Sequence, residues 1–257
     1  MKESPWKELL IKAKRNILWF LRMLLIGIIF SLASVITFPI AILRFRNTST
    51  NLLFVTLTAP LSRFVLGLKV EFSGLEFAKS HLPAVFVMNH QTALDILLNQ
   101  EIYPRSCILV VKRALAFVPV FGWLVFAAGN ILLQRSNKQK SVDQMNAADL
   151  AITIRKSSVW IYPEGTRRGA KGLGDFKKGA FYIAIKNKVP IIPVVASSYT
   201  HKLNFSKWRS GVVLVQVLPP IPTEGLTLED VDNALGRCHD LMKDSIARLD
   251  ARVFPTS

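Results

Sequence analysis

From residue 69 onward, short apolar runs rich in β-branched residues alternate with longer segments of helical character. The apolar runs are residues 69–73, 84–88, 107–111, 131–135, 159–162, 191–195 and 212–218. Candidate helices lie near residues 92–101, 141–156, 177–187 and 227–250. This alternation predicts an α/β fold, a layered domain with a largely parallel sheet. In such a sheet, ligands bind beyond the carboxyl ends of the strands.

The N-terminal part of the chain is strongly apolar. Residues 23–43 carry no charge, and the apolar character begins at Ile17, interrupted only by Arg22. A helix over 17–43 would be roughly 40 Å long, which is enough to cross a bilayer. Residues 52–68 are apolar again apart from Arg63, and basic residues flank the first run on both sides. Two elements that enter the membrane and return would explain this pattern.

A cleaved signal peptide is the alternative explanation for this N-terminal run. The basic leader is long, however, and the apolar run continues ten residues beyond Ala33, where a cleavage site would lie. We therefore predict an uncleaved, membrane-associated helical segment over residues 1–68. A separate domain would then occupy residues 69–257.

A third apolar stretch, residues 114–133, is twenty residues long without a charge. It contains Pro119, Gly122 and Gly129, and a membrane span there would place residues 90 and 164 on opposite sides of the bilayer. We therefore expect it to be buried core or a contact with one leaflet of the membrane.

The formal net charge of +16, together with a mean hydropathy of +0.33, predicts attraction to polyanions. Most of the 16 phenylalanines lie among aliphatic residues, unlike the basic and aromatic mixture of a nucleic-acid-binding surface. The composition therefore favours a phospholipid membrane and phosphorylated ligands, with no nucleic acid. Cys107 and Cys238 are far apart and have no CxxC partner, so we expect reduced thiols and no metal site.

The segment NHQTALD, residues 89–95, directly follows the apolar run 84–88. A histidine near a strand end can act as a general base, and a carboxylate on its other ring nitrogen can fix the tautomer. His90 and Asp95 are the candidates for these two roles. An ordinary capping box, with Thr92 as N-cap and Asp95 at N3, explains the same spacing, and both interpretations can hold together.

The segment YPEGTR, residues 162–167, also follows a β-rich run. In a parallel sheet, His90 and Glu164 would lie on one rim although 74 residues separate them in sequence. The two segments therefore predict a single site. His81, His201 and His239 have no comparable acidic neighbour and receive no role.

Four blocks resemble, in order, the glycerolipid acyltransferase family, and within it the bacterial group that acylates 1-acylglycerol 3-phosphate. They are NHQTALD at 89–95, GNILLQR at 129–135, YPEGTR at 162–167 and VPIIPVV at 189–195, and GDFKKGAF at 174–181 is also typical of the family. The resemblance extends from about residue 69 to residue 220. In the second block, Gln134 stands where the family usually has an acidic residue.

The resemblance implies that His90 is the general base and Asp95 its partner. The hydroxyl at glycerol carbon 2 of lysophosphatidic acid would attack an acyl thioester in one step, giving phosphatidic acid for phospholipid synthesis. The chain has no G-x-S-x-G elbow for a covalent intermediate. No cofactor is expected beyond the co-substrate, which is acyl-coenzyme A or acyl-acyl carrier protein. Glycerol 3-phosphate or another lysophospholipid is the alternative acceptor.

The resemblance also implies which residues bind substrate. Lys112, Arg135 and Arg167 would hold the acceptor's phosphate, since arginine can grip phosphate oxygens bidentately. Glu164 would accept a hydrogen bond from a glycerol hydroxyl or brace Arg167, while Gly165 would allow close approach of the backbone and Thr166 would contact substrate.

The fourth block, residues 189–195, would shape the acyl-chain channel, or Pro193 would simply mark a strand end. The enzyme would lie in the bacterial inner membrane with its site facing the cytoplasm. A basic membrane-surface or nucleic-acid-binding protein without catalysis is the competing class, but it gives the Glu-Gly-Thr-Arg loop no reason.

Overall fold

The computed structural model of the protein describes residues 5–133 and 138–253. Its helices are α1 (Pro5–Leu43), α2 (Ser49–Leu66), α3 (Phe77–Ser80), α4 (Phe121–Ala127), α5 (Lys138–Thr153), α6 (Gly179–Lys186) and α7 (Val231–Val253). Its strands are β1 (Leu68–Ser73), β2 (Val85–Met88), β3 (Cys107–Lys112), β4 (Ile131–Leu133), β5 (Ser158–Ile161), β6 (Ile191–Ala196) and β7 (Gly211–Val217). Short 3-10 helices cover Ala93–Leu98, Arg113–Phe117 and Leu228–Asp230.

The seven strands of the described chain form one sheet in the order β1-β7-β6-β2-β5-β3-β4. Strands β6, β2, β5, β3 and β4 are parallel, whereas β7 pairs antiparallel with β6 and parallel with β1. The predicted α/β fold with a largely parallel sheet is confirmed. Because β2 and β5 are parallel neighbours, the segments that follow them, residues 89–95 and 162–167, leave the sheet at the same edge.

Alternate residues of the central strands point into two separate hydrophobic clusters, one on each face of the sheet. Phe86 and Met88 of β2 belong to the cluster that contains residues of α1 and α2. Val85 and Val87 belong to the other cluster, which contains residues of α5, α6 and α7. Both faces of β2 are therefore buried, as the continuous apolar run predicts for a central parallel strand.

Helices α1 and α2 pack against each other and share the first hydrophobic cluster with the sheet. Within the described residues, Asn16–Leu43 is the one segment long and apolar enough to cross a membrane, by length and composition alone, and only 22% of its most apolar window is buried. Large apolar side chains exposed along α1 are Ile17, Trp19, Phe20, Leu21, Leu24, Leu25, Ile28, Leu32, Val35, Ile36, Ile42 and Leu43. This outward surface suits contact with lipid.

Arg22, the charged residue within the apolar part of α1, is 2% exposed. Its guanidinium donates to the carbonyl oxygens of Phe205, Lys207 and Trp208, at 2.7, 3.0 and 3.2 Å, and to Ser210 Oγ at 3.1 Å. Four hydrogen bonds from its two terminal nitrogens therefore hold the guanidinium inside the protein, while its buried Nε has no partner among the described residues. These bonds attach α1 to the loop between β6 and β7.

Residues 114–133 do not form one helix, which confirms the prediction that this apolar stretch is not a membrane span. The 3-10 helix Arg113–Phe117, α4 and β4 divide it. Gly129 has φ +82°, and a Cβ there would lie 3.1 Å from Arg46 O, so a glycine fits this turn. Next to it, the side chains of Asn130 and Asn51 exchange two hydrogen bonds, at 2.8 and 2.9 Å.

Two predicted elements differ from the structure. The helix expected over residues 92–101 is only the 3-10 helix Ala93–Leu98, because the chain turns at Asn99, whose carbonyl accepts the N–H groups of Ile102 and Tyr103. The alternative interpretation of Pro193 as a strand end is wrong, since this residue lies inside β6, opposite Val87. Its carbonyl accepts the N–H of Leu218, just past the last residue of β7, so the missing N–H falls where the β6–β7 ladder has ended.

Candidate active site

His90 is the second residue after the end of β2, and its imidazole contacts a carboxylate. His90 Nδ1 lies 2.6 Å from Asp95 Oδ2, and the Asp95 side chain is only 1% exposed. Because a carboxylate can only accept, His90 Nδ1 donates the proton, and Nε2 is left as the acceptor of the neutral ring. The His90 side chain is 19% exposed, so its free nitrogen is within reach of a ligand.

Asp95 holds further donors besides the histidine. Its Oδ2 accepts the backbone N–H groups of Gln91 and Thr92, at 2.8 and 3.2 Å, and its Oδ1 accepts the hydroxyl of Tyr199 at 2.5 Å. Thr92 Oγ1 in turn accepts the N–H of Leu94, which completes a capping box. The Asp95 carboxylate therefore serves both in the capping box and as the hydrogen-bond partner of His90.

Tyr199 joins the site from the loop after β6. Its hydroxyl lies 2.8 Å from Thr92 Oγ1 as well as against Asp95, and burial next to this carboxylate raises the pKa of Tyr199 above its usual value. It therefore stays a protonated donor. Sequence reasoning missed Tyr199, because it lies 104 residues from Asp95 and carries no motif of its own.

Tyr162 supports the other side of His90. The two rings stack with their centroids 4.0 Å apart and an interplanar angle of 22°. Burial raises the pKa of Tyr162, so its hydroxyl also stays protonated. Stacking on Tyr162 thus fixes the plane of the imidazole ring, and the hydrogen bond to Asp95 fixes the rotation of the ring within that plane.

Glu164 binds the main chain. It is 5% exposed, and its Oε1 accepts the N–H of His90 at 2.6 Å while its Oε2 accepts the N–H of Gly174 at 2.9 Å. Burial raises the pKa of Glu164, and these two hydrogen bonds oppose the rise. The carboxylate therefore connects the loops after β2 and β5. Neither the glycerol hydroxyl nor Arg167 is needed to satisfy it.

Further backbone contacts join three loops into one frame. The N–H groups of Arg168 and Gly169 donate to the carbonyls of His90 and Gln91, at 2.9 and 3.1 Å. The Asn89 side chain exchanges two hydrogen bonds with the backbone of Ala196, at 2.8 and 3.0 Å. The loop of His90 is therefore bound on one side to the loop after β5 and on the other to the end of β6.

A large cavity, which we call the apolar cavity, opens beside His90 with a volume of about 730 Å³. Its lining is mainly apolar and includes Phe30, Ile96, Leu109, Val110, Val111, Leu115, Phe121, Ile131, Ile161 and Ile183. Three cations also line it, Lys112, Arg167 and Lys177. Long hydrocarbon and a phosphate group can both be accommodated in such a space.

Of the predicted substrate-binding residues, Lys112, Gly165, Thr166 and Arg167 line the apolar cavity, together with His90. Arg135 lies outside the described residues. Gly165 has φ +67°, and a Cβ there would lie 3.0 Å from Lys177 Cε, so the loop and this lysine pack closely. Sequence reasoning missed Lys177, although it lies within the block GDFKKGAF.

The block at residues 189–195 does not line the apolar cavity. Ile192 and Val194 lie in one hydrophobic cluster of the sheet, and Ile191 and Val195 lie in the other. The block therefore lies in the core of the sheet, where β6 is a central strand, and its role in shaping the acyl-chain channel stays a prediction.

A second space, which we call the smaller cavity, lies on the other side of His90 and has a volume of about 230 Å³. Most of the side chains around it are polar. It is lined by Asn89, His90, Gln91, Glu164, Gly169, Ala170, Gly172, Leu173, Ser198, Thr200, His201, Lys202, Ile246 and Asp250. Among the described residues, His90 alone lines both cavities.

Comparison with known proteins agrees with this geometry. The model of the acyltransferase family matches residues 69–197. The 1-acyl-sn-glycerol-3-phosphate acyltransferase of Haemophilus influenzae is 36% identical over 234 residues, which cover 91% of this chain and 97% of that protein. The protein of the same name from Escherichia coli K12 is 35% identical over 74% of this chain and 77% of its own length. The human beta form is 36% identical over 73% and 68%, respectively.

A solved structure shares the fold. The crystal structure of the 1-acyl-sn-glycerophosphate (LPA) acyltransferase of Thermotoga maritima superposes with a TM-score of 0.69, over 93% of this chain and 98% of that one, at 21% identity. The matched family region includes the loops after β2 and β5 that build the site, and it ends at residue 197, just before the part of the loop that carries Tyr199. The chain therefore belongs to the acyltransferase family.

Proposed function

We propose that the protein transfers an acyl group from an acyl thioester to the sn-2 hydroxyl of 1-acyl-sn-glycerol 3-phosphate, producing phosphatidic acid. One observation carries this function. The Asp95-bound imidazole of His90, whose Nε2 has no hydrogen-bond partner among the described residues, borders an apolar cavity that also contains Lys112, Arg167 and Lys177. A base, space for hydrocarbon and cations for a phosphate therefore meet at one place.

His90 Nε2 takes the proton of the acceptor hydroxyl as its oxygen attacks the thioester carbon. Asp95 keeps the Nδ1–H tautomer and stabilises the imidazolium that forms. Tyr199 and the two backbone donors keep Asp95 in position. The imidazolium then returns the proton to the departing thiolate, so the transfer needs no covalent acyl-enzyme.

The acceptor's phosphate binds Arg167 and Lys112 at the wall of the apolar cavity, with Lys177 beside them. Arg167 and Lys112 are exposed and can meet a charged headgroup at low desolvation cost. The acyl chains occupy the apolar part of the cavity. Arg135, which follows β4 in the sequence and lies outside the described residues, is a further candidate cation for this phosphate.

Glu164 acts as a positioning residue in this proposal. Its two oxygens accept the N–H groups of His90 and Gly174, so it fixes the backbone position of His90 relative to the loop after β5. Gly165 and Thr166 contribute the adjoining wall of the apolar cavity.

The protein acts at a phospholipid membrane, with the exposed apolar surface of α1 in contact with lipid. We place it in the bacterial inner membrane with the site on the cytoplasmic side, where thioester donors are made. The acyl donor is acyl-coenzyme A or acyl-acyl carrier protein, and no further cofactor is needed.

The test is transfer of a labelled acyl group from acyl-coenzyme A to 1-acylglycerol 3-phosphate by the purified protein in lipid vesicles. We expect His90→Ala to abolish transfer while the protein stays folded by circular dichroism. The matched control is His81→Ala, since His81 is exposed and lies outside both cavities. Full activity of His90→Ala would overturn the proposed mechanism.

The acceptor is tested by competition in the same assay. Equimolar 1-acylglycerol 3-phosphate, glycerol 3-phosphate and a lysophospholipid with a larger headgroup are offered together. We expect the labelled acyl group in phosphatidic acid. Preferential labelling of another product would show that the protein uses a different acceptor, while the proposed acyl-transfer mechanism would still hold.

A further inference from the structure

His90 lies between two cavities of different character. The apolar cavity on one side is lined mainly by aliphatic residues and holds the cations for the acceptor's phosphate. The smaller cavity on the other side is lined by polar side chains and by a loop with three glycines, residues 169–174. The proposed reaction uses only the first of these, so the second has no assigned ligand.

Direct transfer at His90 brings together three groups that must point in different directions. The thioester carbon carries an acyl chain and a sulfur atom, and the acceptor oxygen approaches this carbon from His90 Nε2. Hydrocarbon fills the apolar cavity by the hydrophobic effect. The sulfur and the hydrophilic arm attached to it require another path from the same histidine.

We propose that the smaller cavity binds the hydrophilic arm of the acyl donor, a phosphopantetheine, and releases the thiol after transfer. This inference rests on the proposed function, because it assigns the leaving group of the same reaction. Phosphopantetheine is common to acyl-coenzyme A and acyl-acyl carrier protein, so the inference holds for either donor.

The lining of the smaller cavity matches the chemistry of this arm. Phosphopantetheine carries two amides and a hydroxyl, which bind best to backbone groups and hydroxyl side chains. Ser198 and Thr200 supply hydroxyls. Gly169 and Gly172 also line the cavity, with φ of +57° and +72°, and a Cβ added to Gly172 meets nothing within 4 Å. The glycine loop therefore leaves room for a chain to lie against its backbone.

The charges at the rim suit a phosphate at the far end of the arm. Lys202 lines the cavity, and Lys171 stands between its lining residues Ala170 and Gly172 with its side chain exposed. The negative groups nearby are already bonded to the main chain. Glu164 holds two N–H groups, and Asp250 accepts the N–H of Ser198 at 2.6 Å.

The two cavities also separate the products. His90 removes the hydroxyl proton, the oxygen–carbon bond forms, and the carbon–sulfur bond breaks. The thiolate takes the proton from His90 and leaves as a neutral thiol through the smaller cavity. The ester stays in the apolar cavity on the side of the hydrocarbon. The atoms and charges balance without a further reactant.

Two variants test the inference in the vesicle assay. Ala170→Trp adds bulk at the exposed wall of the smaller cavity, and Lys202→Glu reverses a charge at its rim. Each should raise the donor KM, measured with acyl-coenzyme A, roughly tenfold, and leave the acceptor KM unchanged. Lys202→Glu does so by losing about one charged hydrogen bond, and Ala170→Trp by excluding the arm sterically. The control is Lys207→Glu, an exposed lysine of the same loop that lines neither cavity. Unchanged donor KM in both variants would overturn the inference.

Three donors separate the parts of the arm. With acyl-pantetheine, which has no phosphate, Lys202→Glu should have no effect and Ala170→Trp should still raise the donor KM. Acyl-coenzyme A and acyl-acyl carrier protein should both respond to Lys202→Glu. A response by one alone would identify the donor that uses the smaller cavity. An equal effect of Lys202→Glu on acyl-pantetheine would contradict the placement of the phosphate.

A binding measurement keeps the inference separate from the proposed reaction. Free coenzyme A is titrated into the reconstituted wild-type protein and the two variants by calorimetry. Weaker binding to both variants, by roughly tenfold, supports the arm site even if no acyl transfer to any acceptor is seen. Equal binding to all three proteins would overturn the inference even if the wild type is an active acyltransferase.

Discussion

Glu164 reaches His90 through the backbone, because its Oε1 accepts the N–H of His90 at 2.6 Å while the imidazole turns to Asp95. The same carboxylate accepts the N–H of Gly174 with its other oxygen. Two loops separated in sequence thus share one buried acceptor. The position of the base depends on a residue that does not touch its ring.

We expect Glu164→Gln to lower kcat more than it changes either KM. The amide has one acceptor oxygen in place of two, so one of the N–H groups of His90 and Gly174 is left facing an amide donor. A buried unsatisfied group costs about 1–3 kcal/mol, and part of that cost would displace the His90 loop. Steady-state kinetics and thermal melting measure the two effects.

The matched control for this change is Glu224→Gln, at an exposed glutamate that lines neither cavity. A rise in the acceptor KM with kcat unchanged would instead assign Glu164 to substrate binding.

Glu164 also predicts a pH dependence of stability. Its pKa is raised by burial, so the folded protein binds a proton on this group more tightly than the unfolded chain does. By linkage, the contribution of Glu164 to the free energy of unfolding is largest below its ordinary pKa and is lost as pH rises through the raised value. We therefore expect the stability difference between wild type and Glu164→Gln to shrink from pH 4.5 upward.

Thermal melts of both proteins at several pH values measure this difference. A difference that stays constant with pH, or grows as pH rises, would contradict the sign of the shift.

Tyr199→Phe should lower kcat by roughly tenfold without unfolding the protein, since a hydrogen bond to a charged group contributes about 1.5–3 kcal/mol. The change removes one donor of Asp95 and leaves the bonds from His90, Gln91 and Thr92. Asp95→Asn should cost more, because the amide can hold the wrong tautomer of His90. An order reversed between these two variants would contradict the arrangement.

Arg167→Ala should raise the acceptor KM, measured with lysophosphatidic acid, by roughly tenfold or more, since one charged contact to phosphate is lost. The donor KM should change little, because Arg167 lines only the apolar cavity. With monoacylglycerol, which has no phosphate, the wild type and the variant should be equally slow. Arg209→Ala, at an exposed arginine outside both cavities, is the control.

Gly179→Leu should shift the donor preference toward shorter acyl chains. Gly179 lines the apolar cavity, and a Cβ at this position meets nothing within 4 Å, so the new side chain can extend into free space. Gly236→Leu is a matched control, since the glycine lies in α7 with equally open surroundings and lines neither cavity. Chain-length profiles with a series of acyl-coenzyme A donors give the comparison. An unchanged chain-length profile would show that the acyl chain of the donor does not lie in the part of the cavity next to Gly179.

The sequence was sufficient for the parallel sheet and for the common edge of His90 and Glu164, because short apolar runs followed by polar residues report strand ends directly. It was insufficient for Tyr199, whose contact with Asp95 depends on how the loop after β6 folds back. The alternative of a strand end at Pro193 was wrong because a proline is tolerated in a central strand where the pairing with the neighbouring strand has ended. That point cannot be read from the sequence, and here the pairing of β6 with β7 begins at Val194. The two-sided surroundings of His90 likewise arise from tertiary packing, which local patterns do not encode.

The reciprocal pair of Asn51 and Asn130 acts as a lock between α2 and the turn that precedes β4. Asn51 Nδ2 also donates to Cys107 O, and Asn130 Oδ1 accepts the N–H of Leu109, so both amides are tied to β3. Turning either amide over would set donor against donor and acceptor against acceptor. Sliding α2 by one residue would leave buried polar atoms of both amides without partners. Apolar contacts alone are compatible with small displacements of a helix. The directional hydrogen bonds of these two amides instead fix one position of α2 on the sheet.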